Sequence, residues 1–363
     1  MDHSSPSITD TNHLLMIMDI TVLIMAGGSG ERFWPLSTKE RPKQLLKLVD
    51  QERSLIRMTV DRILPLVSAE RVFIATNAIQ AEGVLEELPV IDPKNIIIEP
   101  AFRDTAAAVG FGCVVIGERF PGSTMIVLAS DHLIKDEGGF REALSTAVGI
   151  ADSRIVTLGI KPTHPETGYG YLECGELIKG QPSRVLRFCE KPALEVAESY
   201  LESGRFLWNS GMFIFRIETM MNAFKKHLPG HSNTLEKISQ LRKQSSISPE
   251  FYTQSLRELF EEFVKISLDF GIMERFEETW VIPVDIGWND IGSFPALAEV
   301  FEANQNGTIS RGAELREYNS FNNIVISGKC VALLGVKDLV VVETDDALLI
   351  CSKEEAQNIK KIL

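Results

Sequence analysis

Apolar residues in the first part of the chain fall into short β-branched runs separated by stretches with helical spacing. The runs are "ITVLIMA" (20–26), "RVFIATN" (71–77), "NIIIEP" (95–100), "TMIVLASD" (124–131) and "RIVTLGI" (154–160). Such near-continuous apolar runs suit strands buried between two layers. Between them, residues 55–64, 79–87, 105–118 and 138–151 have the length and amphipathic spacing of helices. Asp104 stands where an N-cap belongs before the alanine-rich third helix. Strands alternating with helices predict an α/β fold built on a doubly wound, mostly parallel sheet. In such sheets ligands bind beyond the C-terminal strand ends, which is where Gly27, Gly28, Gly30 and Asp131 fall.

From Pro162 the rhythm changes. "PETGYGYLECGE" has the glycines and aromatics of a hairpin, and "RVLRFCEKP" and "WNSGMFIFRI" read as further strands. Helical segments rich in Glu and Lys follow over residues 218–262, then a last strand and loop, "TWVIPVDIGWNDIGS", and a helix from Phe294. Beyond residue 307 short strands with close turns, "NNIVISG", "CVALLG" and "DLVVVETDDALLICS", predict a small β-rich unit with the character of a partial β-helix, ending in a helix over 353–362. Three regions result: a loose polar N-terminal extension (1–18), a large α/β domain (19–306) and a small β-rich C-terminal domain with its terminal helix (307–363).

Composition narrows the function. The 363 residues are 44% apolar, enough for a full core, and carry a net charge of −13. That acidity argues against nucleic acid as a partner. No apolar run reaches the ~18 residues of a membrane span, and the N-terminus lacks the basic start of a secretory signal. Five cysteines without a C-x-x-C pair point to a reducing compartment, the cytoplasm, and away from a structural zinc site.

Against that acidic background, "LIMAGGSGERFWPLSTKERPKQLL" (23–46) gathers Arg32, Lys39, Arg41 and Lys43 just after a glycine turn. Glycines at 27, 28 and 30 allow backbone N–H groups to approach an anion closely, and Arg32 and Lys43 are spaced to reach round it. No Gly-Lys-Ser/Thr follows, so this is not a P-loop, and Phe33 stands where a dinucleotide fingerprint needs glycine. The bland alternative is a tight turn beside solvated charges; the convergence of cations favours phosphate.

This stretch resembles the signature of the sugar-1-phosphate nucleotidylyltransferases, in particular their mannose-1-phosphate guanylyltransferase branch. Further similar segments follow in order: "EPAFRDTAAA", "VLASDHLI", "TLGIKPTHPETGYGYLECGE", "FCEKP", "WNSGMFIF", "ISLDFGIME", "VDIGWNDIGSF" and "DLVVVETDDALLI", together covering residues 20–351. The resemblance implies a Rossmann-like nucleotidyltransferase fold and a reaction of GTP with α-D-mannose 1-phosphate that yields GDP-mannose and pyrophosphate. An ionised sugar phosphate attacking the α-phosphorus needs no general base, so cations and Mg²⁺ would supply positioning and charge stabilisation. It further implies Arg32 and Lys43 as the catalytic cations. Ala26, Gly27, Gly28, Gly30, Glu99, Thr105 and Asp131 would line the nucleotide, with Arg103 nearby. Gly168, Gly170, Glu190, Lys191 and Asn209 would meet the sugar phosphate, and Asp131 and Asp290 would hold the metal.

The dull readings remain open beside these: Asp131 as a helix cap, Asp290 as a turn residue, Glu190 and Lys191 as an exposed charge pair. His132 reads as a local hydrogen-bonding residue, and Trp208 and Trp288 as packing residues. The chain departs from the family pattern at Asp104, where Asn is common, at Ala107, where Pro is, and at Glu31, where Thr is frequent. Those departures leave nucleotide preference open. Another manno-configured sugar such as heptose 1-phosphate is an alternative substrate, and a catalytically silent regulatory subunit on the same fold an alternative role. A homodimer is compatible with either. Many proteins of this kind carry a further cupin-like isomerase domain, and the 363 residues leave it no room, so isomerase activity is not expected.

Overall fold

A computed structural model describes residues 19–28, 30–244 and 246–363; the extension expected over residues 1–18 lies outside the described residues. The strands and helices expected up to residue 160 are present within a few residues of their predicted ends. They are β1 (Ile20–Met25), α1 (Leu55–Ile63), β2 (Val72–Asn77), α2 (Ala81–Glu87), β3 (Ile96–Glu99), α3 (Asp104–Arg119), β4 (Thr124–Ala129), α4 (Glu137–Ile150) and β5 (Ile155–Ile160). Alternation along β1 shows why the runs are apolar throughout. Val22 and Ile24 share a core with Ile56 and Val60 of α1 and Phe140 and Leu144 of α4. Leu23, between them, joins the opposite core with Ala107 and Phe111 of α3. Both faces are covered, so the run is apolar except for Thr21, which is buried with its hydroxyl hydrogen-bonded to that of Ser123.

The chain continues through β6 (Gly170–Cys174), β7 (Ser183–Glu190), α5 (Leu194–Ser203), β8 (Phe206–Arg216), α6 (Ile217–His227), α7 (Pro229–Arg242), α8 (Pro249–Glu261) and β9 (Thr279–Val284). A nine-stranded sheet has the order β3-β2-β1-β4-β8-β5-β9-β7-β6, with β6 also pairing β8. Pairings β3/β2, β2/β1 and β1/β4 are parallel, as predicted, and so is β5/β9. Strand β8 runs antiparallel between β4 and β5, and the β6/β7 hairpin adds further antiparallel pairs, so the whole sheet is mixed. It follows that β1–β5 and β9 all point the same way and deliver their following loops to one edge. The start of β8 passes beyond the end of β4 and carries the hairpin over that edge: Tyr171 pairs with Trp208, and Gly170 with Glu190.

Two local features differ from expectation. Asp104 does not cap α3 from outside; it is the first helical residue at φ 68°, its carboxylate accepting from the Thr105 N–H at 2.8 Å. Its carboxylate thus serves the adjacent amide rather than one deeper in the first turn. The segments expected as helices from Phe294 and near the C-terminus are 3₁₀ helices over Phe294–Glu299 and Ala356–Ile362.

In the C-terminal region β10 (Ile309–Arg311), β12 (Ile324–Ile326) and β14 (Leu339–Glu343) stack in parallel, as do β11 (Leu315–Tyr318) and β13 (Val331–Leu334). β15 (Leu348–Ser352) closes the larger stack antiparallel to β14. Short parallel rungs joined by turns are the expected partial β-helix. One apolar cluster ties this unit to the large domain: Phe33, Phe294, Ile309, Ile324, Val340 and Ile359 are all part of it.

Candidate active site

The loop after β1 is held by side chains that the residue pattern did not single out. The Gln44 amide donates to the Ala26 and Gly28 carbonyls at 2.9 and 3.3 Å, and the Gln80 amide donates to Gly28 at 3.2 Å. The Ser37 hydroxyl donates to the Gly30 carbonyl at 2.7 Å. Ala26 is buried, with its N–H on the Ala75 carbonyl, so it anchors the loop. Gly30 has φ 62°, and a Cβ there would lie 2.5 Å from the Lys43 backbone nitrogen. Only glycine lets the Lys43–Leu45 turn pack this closely.

That approach sets Lys43 into a central cavity of about 360 Å³, shared with Gly30, Glu31, Arg32, Asp131 and Asp290. The Lys43 ammonium, itself buried, donates to Asp131 Oδ2 at 2.8 Å and to the Asp290 carbonyl at 2.5 Å. Asp131 follows β4 and Asp290 follows β9; because those strands are codirectional, residues far apart in sequence meet at one edge. Burial resists ionisation of Asp131, but the charge and hydrogen bond of Lys43 outweigh it and hold the carboxyl below its ordinary range. Arg32 donates to the Gly292 carbonyl at 3.4 Å and forms no ion pair among the described residues.

A second cavity, of about 250 Å³, opens under the β6/β7 hairpin and includes Gly168, Gly170, Glu190, Lys191 and Asn209, five residues the sequence grouped together. Glu190 and Lys191 pair at 3.1 Å, and Glu190 fills the space above Gly170, where a Cβ would lie 2.5 Å from its Oε2. The Gly168 N–H is taken by the Glu166 carboxylate at 2.7 Å. Asn209 accepts from the Thr157 hydroxyl at 3.1 Å and donates to Asp269 at 3.0 Å. Burial, reinforced by the negative Glu190, pushes the Asp269 carboxyl up to about 7. Tyr169 donates to Asp290 Oδ1 at 2.7 Å, and burial together with that carboxylate keeps its phenol protonated. Neither Tyr169 nor Asp269 was singled out beforehand, although both lie inside quoted motifs, "ETGYGYL" and "SLDFGIM".

A third cavity, about 470 Å³, lies where β1, β2 and β3 end and is bordered by Gly27, Gly28, Lys39, Asn77, Gln80 and Glu99. Burial raises the Glu99 carboxyl to about 7. Thr105 is not here; it borders the hairpin cavity, and its hydroxyl accepts from the Leu268 N–H at 2.8 Å. Arg103 turns away and donates to the Phe260 and Glu261 carbonyls. Arg41 faces the C-terminal unit instead, beside Arg311. His132 accepts from the Trp288 indole N–H at 3.1 Å, and burial lowers its pKa, so it is a neutral hydrogen-bonding residue. Trp208 is buried, while Trp288 borders the hairpin cavity.

The three cavities adjoin. His132 and Asp290 belong to both the central and hairpin cavities, and Glu31 to both the central cavity and the one beside Glu99. The result is a trough of three adjoining cavities, with Glu99 and Lys39 in one outer cavity, Glu190 and Lys191 in the other, and Arg32 and Lys43 beside Glu31, Asp131 and Asp290 in the middle. Asp131 and Asp290 each commit one carboxylate oxygen, to Lys43 and Tyr169 respectively. Among the described residues there is no group of three or more His, Cys, Asp or Glu able to enclose a metal. Two hard oxygen donors beside an anion site nonetheless fit a divalent cation that draws its remaining ligands from phosphate and water. No helix among the described residues is long and apolar enough to cross a membrane.

Comparison with known proteins bears on this geometry. The nucleotidyl transferase family model matches residues 21–307, and a mannoseP isomerase/GMP-like beta-helix domain model matches 318–363. A mannose-1-phosphate guanylyltransferase of Escherichia coli K12 is 36% identical over 351 residues, 94% of this chain and 72% of that protein. The mannose-1-phosphate guanylyltransferase RfbM of Salmonella typhimurium LT2 is 36% identical over 95% of this chain and 72% of its own length. A crystal structure described as a mannose-1-phosphate geranyltransferase from Thermus thermophilus superposes with a TM-score of 0.83 at 34% identity, covering 95% of this chain and 98% of that one.

Proposed function

The chain belongs to the nucleotidyl transferase family and is an enzyme of that kind, and on that premise we propose that it transfers GMP from GTP to α-D-mannose 1-phosphate. The products are GDP-mannose and pyrophosphate. A sugar-phosphate oxygen attacks the α-phosphorus in line; the bond from that phosphorus to the α–β bridging oxygen breaks, and pyrophosphate leaves. The observation that carries this reading is the trough itself: the Lys43 ammonium bonds the Asp131 carboxylate and the Asp290 carbonyl in the central cavity, which adjoins the Glu99 cavity on one side and the Glu190 cavity on the other. A base, a polyphosphate and a sugar phosphate need that order of surroundings.

Guanine belongs beside Glu99, whose carboxylate can accept from both N1–H and N2–H. Gly27, Gly28 and Gly30 would give the triphosphate its backbone N–H groups, and Arg32 and Lys43 its cations, with Arg32 suited to a bidentate grip. Lys191 would meet the sugar phosphate and Glu190 the sugar hydroxyls, with Asn209 held in place by Thr157 and Asp269. Thr105 and Gly168, both engaged internally, support the cavity wall. Nucleotidyl transferases of this kind generally use a divalent metal; here we assign Mg²⁺ to Asp131 and Asp290, where it would neutralise charge on the reacting phosphates. Residues 19–306 would form the catalytic domain and 307–363 its β-helix appendage. A cytoplasmic setting, supported by five unpaired cysteines, and a homodimer belong to the same reading.

A matrix assay tests it: GTP, ATP, UTP and dTTP against mannose, glucose and heptose 1-phosphates, scored by pyrophosphate release with Mg²⁺ present. GTP with mannose 1-phosphate should turn over fastest. Silence across the whole matrix would reject the reading.

A further inference from the structure

The central cavity has one wall that does not come from the large domain. Lys360, on the 3₁₀ helix Ala356–Ile362, borders it together with Arg32 and Lys43. Its position is built in. Ala356 and Ile359 are buried in the cluster that also contains Phe33 and Phe294, so this last helix packs on the Glu31–Phe33 turn that carries Arg32. The Gln357 amide donates to the Ser293 hydroxyl at 3.2 Å, fixing the helix to the loop that follows Asp290. With Ile359 facing the core, the next residue in the chain is brought to the cavity rim.

The charges of that cavity give the lysine a task. Lys43 is committed to Asp131, whereas Arg32 and Lys360 form no ion pair among the described residues. Three carboxylates, Glu31, Asp131 and Asp290, border the same space. Without Arg32 and Lys360 an incoming triphosphate would meet a cavity of net negative charge, and with them the cavity's own charges balance. We propose that Lys360 is an anion-binding residue for the β and γ phosphates of the nucleotide and for departing pyrophosphate, supplied to the catalytic domain by the C-terminal β-rich unit. This inference rests on the guanylyltransferase reading above. It gives the C-terminal unit a direct part in substrate binding: the apolar cluster positions a charge, and the charge completes the polyphosphate site.

The test uses the full chain with Mg²⁺ and pyrophosphate as the probe, measured by isothermal titration calorimetry, alongside steady-state kinetics. Lys360→Ala should weaken pyrophosphate binding and raise the KM for GTP by about five-fold, the upper range for one exposed charge contact. The KM for mannose 1-phosphate should not move. Lys360→Arg should retain most of the affinity. Lys361→Ala, one residue further along the same helix, should behave as wild type. Wild-type pyrophosphate affinity in Lys360→Ala, or an equal loss in Lys361→Ala, would overturn the inference while leaving the guanylyltransferase reading intact. A wild-type protein that neither binds pyrophosphate nor consumes GTP would overturn that reading, and Lys360's role with it.

Discussion

Lys43 is a buried cation whose partners are an aspartate carboxylate and the carbonyl of a second aspartate. On the proposed assignment, removing it would take charge from the reacting phosphates, and it would leave the Asp131 carboxylate without its ion-pair partner. Lys43→Ala and Asp290→Ala should each lower turnover by ~10²–10³, the usual effect of losing a preorganised charge contact. Single-turnover rates at saturating GTP, with circular dichroism to check folding, measure this. Glu99 gives a pH signature. Burial places its carboxyl near 7, so the empty site is largely protonated at pH 6 and largely ionised at pH 8. Only the ionised form could accept from both donors of a guanine bound there as proposed. The KM for GTP should accordingly fall as pH rises through 7, and Glu99→Gln should remove that component of the profile. A wild-type profile preserved in Glu99→Gln would detach the residue from base recognition. At this scale the sequence was most legible where local pattern and chemistry coincide: Arg32 and Lys43 follow a glycine turn in an acidic chain. Asp269 and Tyr169 were not legible, because what distinguishes them is burial beside another charged group, which no local pattern displays.

At the level of elements, the site depends on which way strands run. Strands β1–β4 could be read as parallel from their alternation with helices, so Asp131 could be placed at the ligand edge. Asp290 could be assigned only through resemblance, since nothing in its spacing reveals that β9 is parallel to β5. The reversal at β8 was similarly hidden: an apolar run states that a strand is buried, not its direction. The resulting insertion of β8 between β4 and β5 lets the hairpin overhang the edge and bring Glu190 within one cavity of Asp290. The glycine loop is the element under tightest constraint. Gly30→Ala puts a Cβ into the left-handed region, at a cost of roughly 1–2 kcal/mol, and against the backbone of Lys43. The Lys43 turn must then move. Activity should fall much further than stability, with a melting temperature lowered by only a few degrees while kcat drops by about ten-fold or more. Equal and mild effects on both would show that the loop tolerates displacement.

The molecule as a whole carries net charge −13 and must bring two anions together. Arg32, Lys43, Lys191 and Lys360 are the cations that border the central and hairpin cavities. A triphosphate and a sugar phosphate between them carry more negative charge than these four neutralise, and Asp131 and Asp290 add to the excess. The protein's own charges therefore leave the assembled substrates repelling one another, at distances shorter than salt can screen. On the proposed assignment, a divalent ion on the two aspartates would reduce that deficit, which would give a site devoted to polyanions a use for two carboxylates at its centre. Stripping divalent metal with EDTA should abolish pyrophosphate release, and Mg²⁺ should restore it. Asp290→Ala should need a higher Mg²⁺ concentration for half-maximal rate, whereas Lys191→Ala should leave that requirement unchanged and instead raise the KM for mannose 1-phosphate. If both variants shifted the Mg²⁺ requirement alike, the metal and the lysine would be answering the same general negative field, and the division of the trough into a metal-binding centre and a sugar-phosphate end would fail.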